Sequence, residues 1–230
     1  MNCCRLTRYG LRELAVLTIV LPAAAWLVAC TVTPLWLGLA LAAVPVLVWI
    51  WVLWFFRDPD RVTPAEEGLL VSPADGRVTD ITPLGPDSVL GREGVQIGVF
   101  MSVMDVHVNR SPADAVVEKV EHRKGLFLDV RLAQAWEKNE SATIYLRCGV
   151  AGLELPLVVR QVAGLIARRI VTDLAPGRKI ARGQRIGMIK FGSRLEVLAP
   201  SELAGEVCVK VGDKVRAGST VLLRAKKEQT

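Results

Sequence analysis

Gly192-Ser193 sits within Gly187-Met188-Ile189-Lys190-Phe191-Gly192-Ser193-Arg194-Leu195-Glu196-Val197, between two short β-like runs near the C-terminus. A Gly-Ser pair usually marks a turn in which glycine supplies φ > 0. This one shares its chain with Asp75 and with His107, both in polar, turn-flanked positions. A serine hydroxyl becomes a nucleophile when a base takes its proton, and histidine is the side chain best suited to that near pH 7. Glycine ahead of the serine leaves its carbonyl open to attack and permits a strained turn. Attack of the Ser193 hydroxyl on the Gly192 carbonyl would turn the peptide bond into an ester. Elimination from that ester would leave an N-terminal pyruvoyl group. Such a ketone can take a substrate amine as a Schiff base and withdraw electrons from its α-carbon, the work pyridoxal phosphate does elsewhere.

Short β runs punctuated by glycine must position these residues: 69–71, 77–81, 95–101, 142–150, 154–162, 186–189, 195–198, 206–209 and 220–223. That spacing predicts an all-β barrel or sandwich, and 127–137 reads as a short helix. A Gly-x-Lys-β-branched-x-x-Gly frame occurs at 177–183 and again at 212–218, each time ahead of a strand. The second occurrence resembles the hairpin of biotinyl and lipoyl domains. The expected fold is therefore mainly β and barrel-sandwich-hybrid-like, and the repeat speaks to fold rather than to chemistry.

The apolar excess (51% apolar residues, mean hydropathy +0.36) lies at the other end. Residues 14–56 include no Asp, Glu, Lys, Arg or His, a run long enough for two spanning helices of roughly 20 residues each. Thr33-Pro34 divides it into about 14–32 and 35–56, and Trp49, Trp51 and Trp54 crowd the end of the second segment, where an aromatic belt would sit. Arg5, Arg8 and Arg12 precede the run and Arg57 and Arg61 follow it, so both ends read as cytoplasmic. A signal peptide is too short for this run and would leave the second segment behind. The reading is a membrane anchor over 1–56, a linker over 57–68 and a β domain over 69–230.

The formal charge of +6 and pI near 9.3 suit an anionic lipid surface. Nucleic acid is not implied, because no basic stretch after the hairpin is interleaved with aromatic residues; Lys226-Lys227 reads as a solvated tail. Cys3, Cys4, Cys30, Cys148 and Cys208 form neither a metal-ligand pattern nor a disulfide framework. Cys3-Cys4 has a juxtamembrane setting open to palmitoylation. Cys148 and Cys208, in apolar strand-like runs, are expected to be buried and reduced.

Four stretches carry a resemblance to a known family from about Arg57 to Leu223. They are Ser72-Pro73-Ala74-Asp75-Gly76-Arg77-Val78; Met104-Asp105-Val106-His107-Val108-Asn109-Arg110-Ser111-Pro112; Gln161-Val162-Ala163-Gly164-Leu165-Ile166-Ala167-Arg168-Arg169-Ile170; and Gly183-Gln184-Arg185-Ile186-Gly187 running on to Gly192-Ser193-Arg194. In this order they resemble the short-form phosphatidylserine decarboxylases. The resemblance implies a carboxy-lyase, made as a self-cleaving proenzyme, that converts phosphatidylserine to phosphatidylethanolamine and carbon dioxide. It implies cleavage between Gly192 and Ser193, a pyruvoyl cofactor made from Ser193, and fragments 1–192 and 193–230 that stay associated. No metal and no pyridoxal phosphate are implied, and the location implied is the inner cell membrane with the β domain on its cytoplasmic side. The family's acid falls on Asp75 and its histidine on His107. His107 would be the base for Ser193 and later a proton donor or positioning group, with Asp75 orienting it in the manner of a serine triad. Ser141 departs from the pattern, since the family usually has arginine after Asn139-Glu140.

Residue by residue, plainer readings stand beside these. Asp75 lies in a Pro-Ala-Asp-Gly turn, where aspartate is common for local reasons. Alternation through 106–110 would point His107 opposite its apolar neighbours and put Asp105 on the same strand face. His122 reads as a solvated residue. Val99, Phe100 and Met101 are expected to line an apolar pocket, which favours loss of a carboxylate's charge. Two competing functions are the same chemistry on another serine phospholipid, such as archaetidylserine, and a non-catalytic membrane-anchored lipoyl-like adaptor. Against the adaptor, neither Met-Lys-Met nor Asp-Lys-Ala occurs in the chain.

Overall fold

The computed structural model describes residues 5–150, 153–165, 169–190 and 192–226. Cys3, Cys4, residues 166–168 of the third motif, Phe191 and Lys227 lie outside the described residues. The chain forms two compact units, Met1–Asp60 and Arg61–Thr230. In the first, β1 (Arg5–Leu6) pairs antiparallel with β2 (Arg57–Asp58), closing the ends of a helical pair. Its helices are α1 (Leu11–Thr31) and α2 (Leu35–Phe55). At about 1.5 Å per residue each reaches about 31 Å, close to the hydrocarbon thickness of a bilayer. Ile19, Trp26, Leu35, Trp36 and Leu47 are all exposed, as in helices whose apolar surface is not matched to a protein core. Both are long and apolar enough to cross a membrane. The first starts at Leu11, earlier than the charge-free run, and takes in Arg12 and Glu13.

The second unit is mainly β, as expected. Its elements are β3 (Leu69–Val71), β4 (Gly76–Leu84), β5 (Gly94–Met101), β6 (Val108–Arg110), β7 (Ala115–Arg123), α3 (Ala133–Lys138), β8 (Ser141–Val150), β9 (Leu153–Ala163), β10 (Ile170–Thr172), β11 (Lys179–Ile180), β12 (Arg185–Ile189), β13 (Ser193–Pro200), β14 (Glu206–Val207), β15 (Lys214–Val215) and β16 (Val221–Arg224). An eight-stranded sheet runs β11-β7-β8-β9-β13-β5-β4-β15, and two three-stranded sheets run β10-β12-β6 and β14-β16-β3. The core gathers Ile97, Val99 and Met101 of β5 with Ile144 and Leu146 of β8. Leu157 and Val159 of β9 and Leu195 and Val197 of β13 complete it. Each set is the apolar half of an alternating strand.

β7 escaped the sequence reading because its second half is charged: only the Ala115 end buries apolar side chains, and residues 118–123 are mostly exposed. The expected helix is confined to α3, since residues 127–132 are held as a loop by Asn139. Its amide donates to the carbonyls of Leu128 and Ala163, while its oxygen accepts from the Leu128 N–H. Cys148 is buried, and burial pushes its thiol up to about 11. Cys208 is exposed, contrary to expectation, because it follows β14, an edge strand whose own two residues are exposed.

The repeat is larger than two similar turns. Ser72-Pro73-Ala74-Asp75 recurs as Ser111-Pro112-Ala113-Asp114, and each serine hydroxyl donates to the alanine carbonyl at 2.7 Å. The Gly212 and Gly177 N–H groups donate to the Val78 and Val117 carbonyls, at 2.8 and 2.7 Å. β4 and β7 even carry irregularities at matching places, between Val78 and Asp80 and between Val117 and Lys119. The two three-stranded sheets match strand for strand, and the eight-stranded order is symmetric about the β9–β13 ladder. One copy is β3–β5 completed by β13–β16, and the other, β6–β12, is inserted within it. The chain crosses between copies twice, after β5 and after β12. His107 ends the first crossover, and Gly192-Ser193 stands where the chain enters β13.

Candidate active site

Ser193 opens β13, all of whose residues are buried because the strand lies between β5 and β9. It pairs across the sheet with Met101 and Ala163. Its phase on the strand is that of Leu195 and Val197, so its hydroxyl enters the core face. There it donates to the Met101 sulfur at 3.5 Å, and the Asn109 amide reaches the same sulfur at 3.7 Å. The Asn109 oxygen accepts from the Gln161 amide at 2.7 Å. The Gln161 oxygen is buried with no hydrogen-bond partner among the described residues. A thioether is a weak acceptor, so the Ser193 hydroxyl is placed without being tightly held.

Gly192 has φ +50°, in the left-handed region that favours glycine. Its carbonyl lies against Gly164: a Cβ built there would stand 2.1 Å from the Gly192 oxygen. Gly164 thus leaves room for the carbonyl that Ser193 would attack. A cavity of about 260 Å³ adjoins Gly192, with walls from Phe100, Val103, Val130 and Leu165 and the Asp129–Arg131 ion pair. Phe100 lines it as expected. Val99 and Met101 do not, because alternation turns them to the core face.

His107 is wholly buried, as are Val106 and Val108 beside it. The alternation expected here fails because 102–107 is a crossover loop rather than a strand. His107 Nδ1 lies 2.9 Å from the Asp105 main-chain oxygen. A carbonyl can only accept, so this bond keeps a proton on Nδ1 and leaves Nε2 as the basic nitrogen of the neutral ring. The Asp105 carboxylate accepts from the N–H and hydroxyl of Ser102, closing the loop.

Asp75 Oδ1 accepts from the Ala217 N–H at 2.8 Å, and Oδ2 from Arg61 at 2.7 Å. The hydrogen bonds described for Asp75 go to Ala217 and Arg61 and the one described for the Ser193 hydroxyl goes to Met101, so those bonds do not join the three sequence-derived residues as a triad. Burial raises the Asp75 pKa, against Arg61 and the Ala217 bond, and the charge of Asp105 raises it further. Asp75 is thus within electrostatic reach of the His107 loop. His122 is exposed on β7. Ser141 lies on the outer face, beside Arg123 and Arg160 in a separate groove.

Sequence reasoning gave no individual role to Asn109, Gln161 or Gly164, read Arg61 only as a charge flanking the helical run, and put Met101 in a pocket wall rather than beside the Ser193 hydroxyl. Gln161 had a readable signal, a polar residue in phase with Leu155, Leu157 and Val159. Among the described residues, no cluster of three or more His, Cys, Asp or Glu could hold a metal ion.

The phosphatidylserine decarboxylase profile matches residues 49–223. The phosphatidylserine decarboxylase proenzyme of Geobacter metallireducens is 46% identical over 75% of this chain and 77% of its own. That of Pelobacter propionicus is 47% identical over 77% and 78%, and that of Paramagnetospirillum magneticum 44% over 75% and 71%. A match that runs from α2 to β16, through both copies and both crossovers, means that this chain belongs to the phosphatidylserine decarboxylase family.

Proposed function

We propose that this chain cuts itself at Gly192-Ser193 and then converts phosphatidylserine to phosphatidylethanolamine and carbon dioxide. The observation that carries the reading is a buried serine behind a left-handed glycine whose carbonyl has a cleared seat against Gly164. His107 Nε2 takes the Ser193 proton as the hydroxyl turns from the Met101 sulfur. The Oγ–carbonyl bond forms, the Gly192–Ser193 C–N bond breaks, and the proton passes to the Ser193 nitrogen. Loss of the Ser193 α-proton then expels Gly192 as a carboxylate end. Water replaces the nitrogen, ammonia leaves, and a pyruvoyl end remains on Arg194.

Position 193 suits such a group. It is buried, and its cross-strand neighbours Met101 and Ala163 carry no amine or hydroxyl to consume a ketone. The ketone supplies an electron sink for carbon dioxide loss from an amine-bearing substrate. The apolar wall of Phe100, Val103, Val130 and Leu165 excludes water and favours the loss of carboxylate charge. Arg131 stands at this cavity as a cation for the lipid's anionic groups. Asp75 acts on His107 as a buried charge at a distance rather than as a hydrogen-bond partner. The helical pair anchors the chain in the inner cell membrane, and the arginines flanking it favour a cytoplasmic position for residues 61–230. Strands β13, β15 and β16, paired with β5, β9, β4 and β3, hold fragments 1–192 and 193–230 together after the cut.

The test is an intact-mass spectrum of the full chain in detergent, beside carbon dioxide release from phosphatidylserine micelles. Two fragments are expected, the smaller lighter than a seryl start by one ammonia, together with turnover. Turnover by an uncut chain would sink self-processing; an uncut, inactive chain would leave the adaptor reading.

A further inference from the structure

The residue after the cut has the largest fully buried side chain among the described residues, and it points to the face of β13 opposite the Ser193 hydroxyl. Arg194 is 1% exposed on the outer face of β13. On that face the sheet presents a row across four strands: Asp80, Gly98, Glu196 and Arg160. Gly98 is the gap in the row, and the Arg194 guanidinium fills it; a Cβ on Gly98 would stand 2.1 Å from Nη2. Nη1 and Nη2 donate to the two Asp80 oxygens at 2.6 and 2.8 Å, Nη1 also to Thr79 Oγ1 at 2.7 Å, and Nε to Glu196 at 2.8 Å. The irregularity of β4 between Val78 and Asp80 brings Thr79 and Asp80 onto the same guanidinium. Trp136 of α3 covers it at 3.8 Å, and Arg160 holds the other Glu196 oxygen at 2.5 Å.

Arg194 and Glu196 are thus taken fully out of water, and Arg160 and Asp80 partly so. Desolvation offsets most of their attraction, so such a network is a poor source of stability; what it supplies is a fixed position. That position matters at a chain end, because a strand that begins at a free terminus frays. Asp80, Thr79, Trp136 and Arg160 all belong to fragment 1–192, whereas Arg194 and Glu196 belong to 193–230.

We propose that Arg194 is a positioning residue, clamping the chain end made by the cut so that the group at position 193 stays fixed against Met101. This rests on the self-cleavage reading above. The test uses full-length Arg194→Lys, which loses the planar fork, and Asp80→Asn, which keeps a hydrogen-bonding partner but removes its charge. Each is also made in an uncut Ser193→Ala background. Intact mass reports cutting and the titre of pyruvoyl ends, carbon dioxide release gives kcat per end and KM, and hydrogen exchange follows residues 194–196.

Both variants are expected to cut. In the cut protein, kcat per end should fall at least about ten-fold with KM little changed, and exchange at 194–196 should quicken about ten-fold. In the uncut background exchange should stay near that of Ser193→Ala alone, because the continuous chain holds the strand. Equal quickening in both backgrounds, or an unchanged kcat per end, would overturn the clamp. Variants that fold yet stay uncut would also overturn it, since Arg194 would then act before the cut. A wild-type chain that never cuts would instead defeat the self-cleavage reading.

Discussion

The two copies of the repeat solve the same backbone problem and then diverge. Asp75 and Asp114 each accept a main-chain N–H from the opposing glycine loop, from Ala217 at 2.8 Å and from Arg182 at 3.0 Å. That bond belongs to the architecture, since both copies have it. The surroundings differ: Asp114 is exposed, whereas Asp75 is buried against Arg61 with a raised pKa. The matching irregularities diverge in the same way. One brings Asp80 to the buried Arg194, while the other brings Lys119 to the surface beside Glu121. At these matched positions one copy buries or half-buries its polar side chains and the other leaves them in water. A local motif therefore explains why an aspartate is present, and its neighbours decide whether it does more.

The largest expected effect tests whether the crossovers carry the chemistry. Ser193→Ala should leave a single uncut chain with no carbon dioxide release, read by intact mass and activity; persistent cutting would move the processing point elsewhere. Next comes the pair of aspartates. Asp75→Asn should slow cutting by about a hundred-fold or more. Asp114→Asn should cut at the wild-type rate and lose only about 0.5–1.5 kcal/mol of stability for its hydrogen bond. Equal slowing in a cutting time course would erase the distinction between the copies.

Gly164→Ala puts a methyl group into the seat of the Gly192 carbonyl, and cutting should slow about ten-fold. Cutting at the wild-type rate would show that the carbonyl does not need that seat. The smallest effect separates the two irregularities by pH. Burial works against ionisation of Asp80, but the hydrogen bonds and charge of Arg194 outweigh it and hold the carboxyl below its usual range. A lowered folded-state pKa gives stability that is fully present above about pH 4 and fades as pH falls through the folded value. Asp80→Asn should flatten that acid limb of the melting temperature, and Lys119→Ala should leave it unchanged. Asp75 has the opposite sign: its raised pKa makes its contribution greatest at low pH and diminishing as pH rises through the folded value.

Much of this was legible from short-range pattern. The alternation of Ser193, Leu195 and Val197 against Arg194 and Glu196 gives β13 two faces, and the charge-free run breaking at Thr33-Pro34 gives two helices. The Ser-Pro-Ala-Asp duplication was also in plain view, yet its meaning depended on which glycine loop each copy meets. Asn109, Gln161 and Met101 come from three separate strands and share one thioether contact network near Ser193. Such a meeting follows from strand order and register, which local periodicity does not specify.

The sequence by itself determined the chemistry-bearing Gly-Ser junction, the alternating strands and the apolar helices, because each depends on side-chain type and on spacing within a few residues. Only the tertiary structure decided that Asp75 bonds Arg61 and Ala217, that Gly164 clears the Gly192 carbonyl, and that Arg194 lies between Asp80 and Glu196. Those outcomes depend on contacts between segments far apart in the chain, where burial strengthens the interaction of any charges that meet.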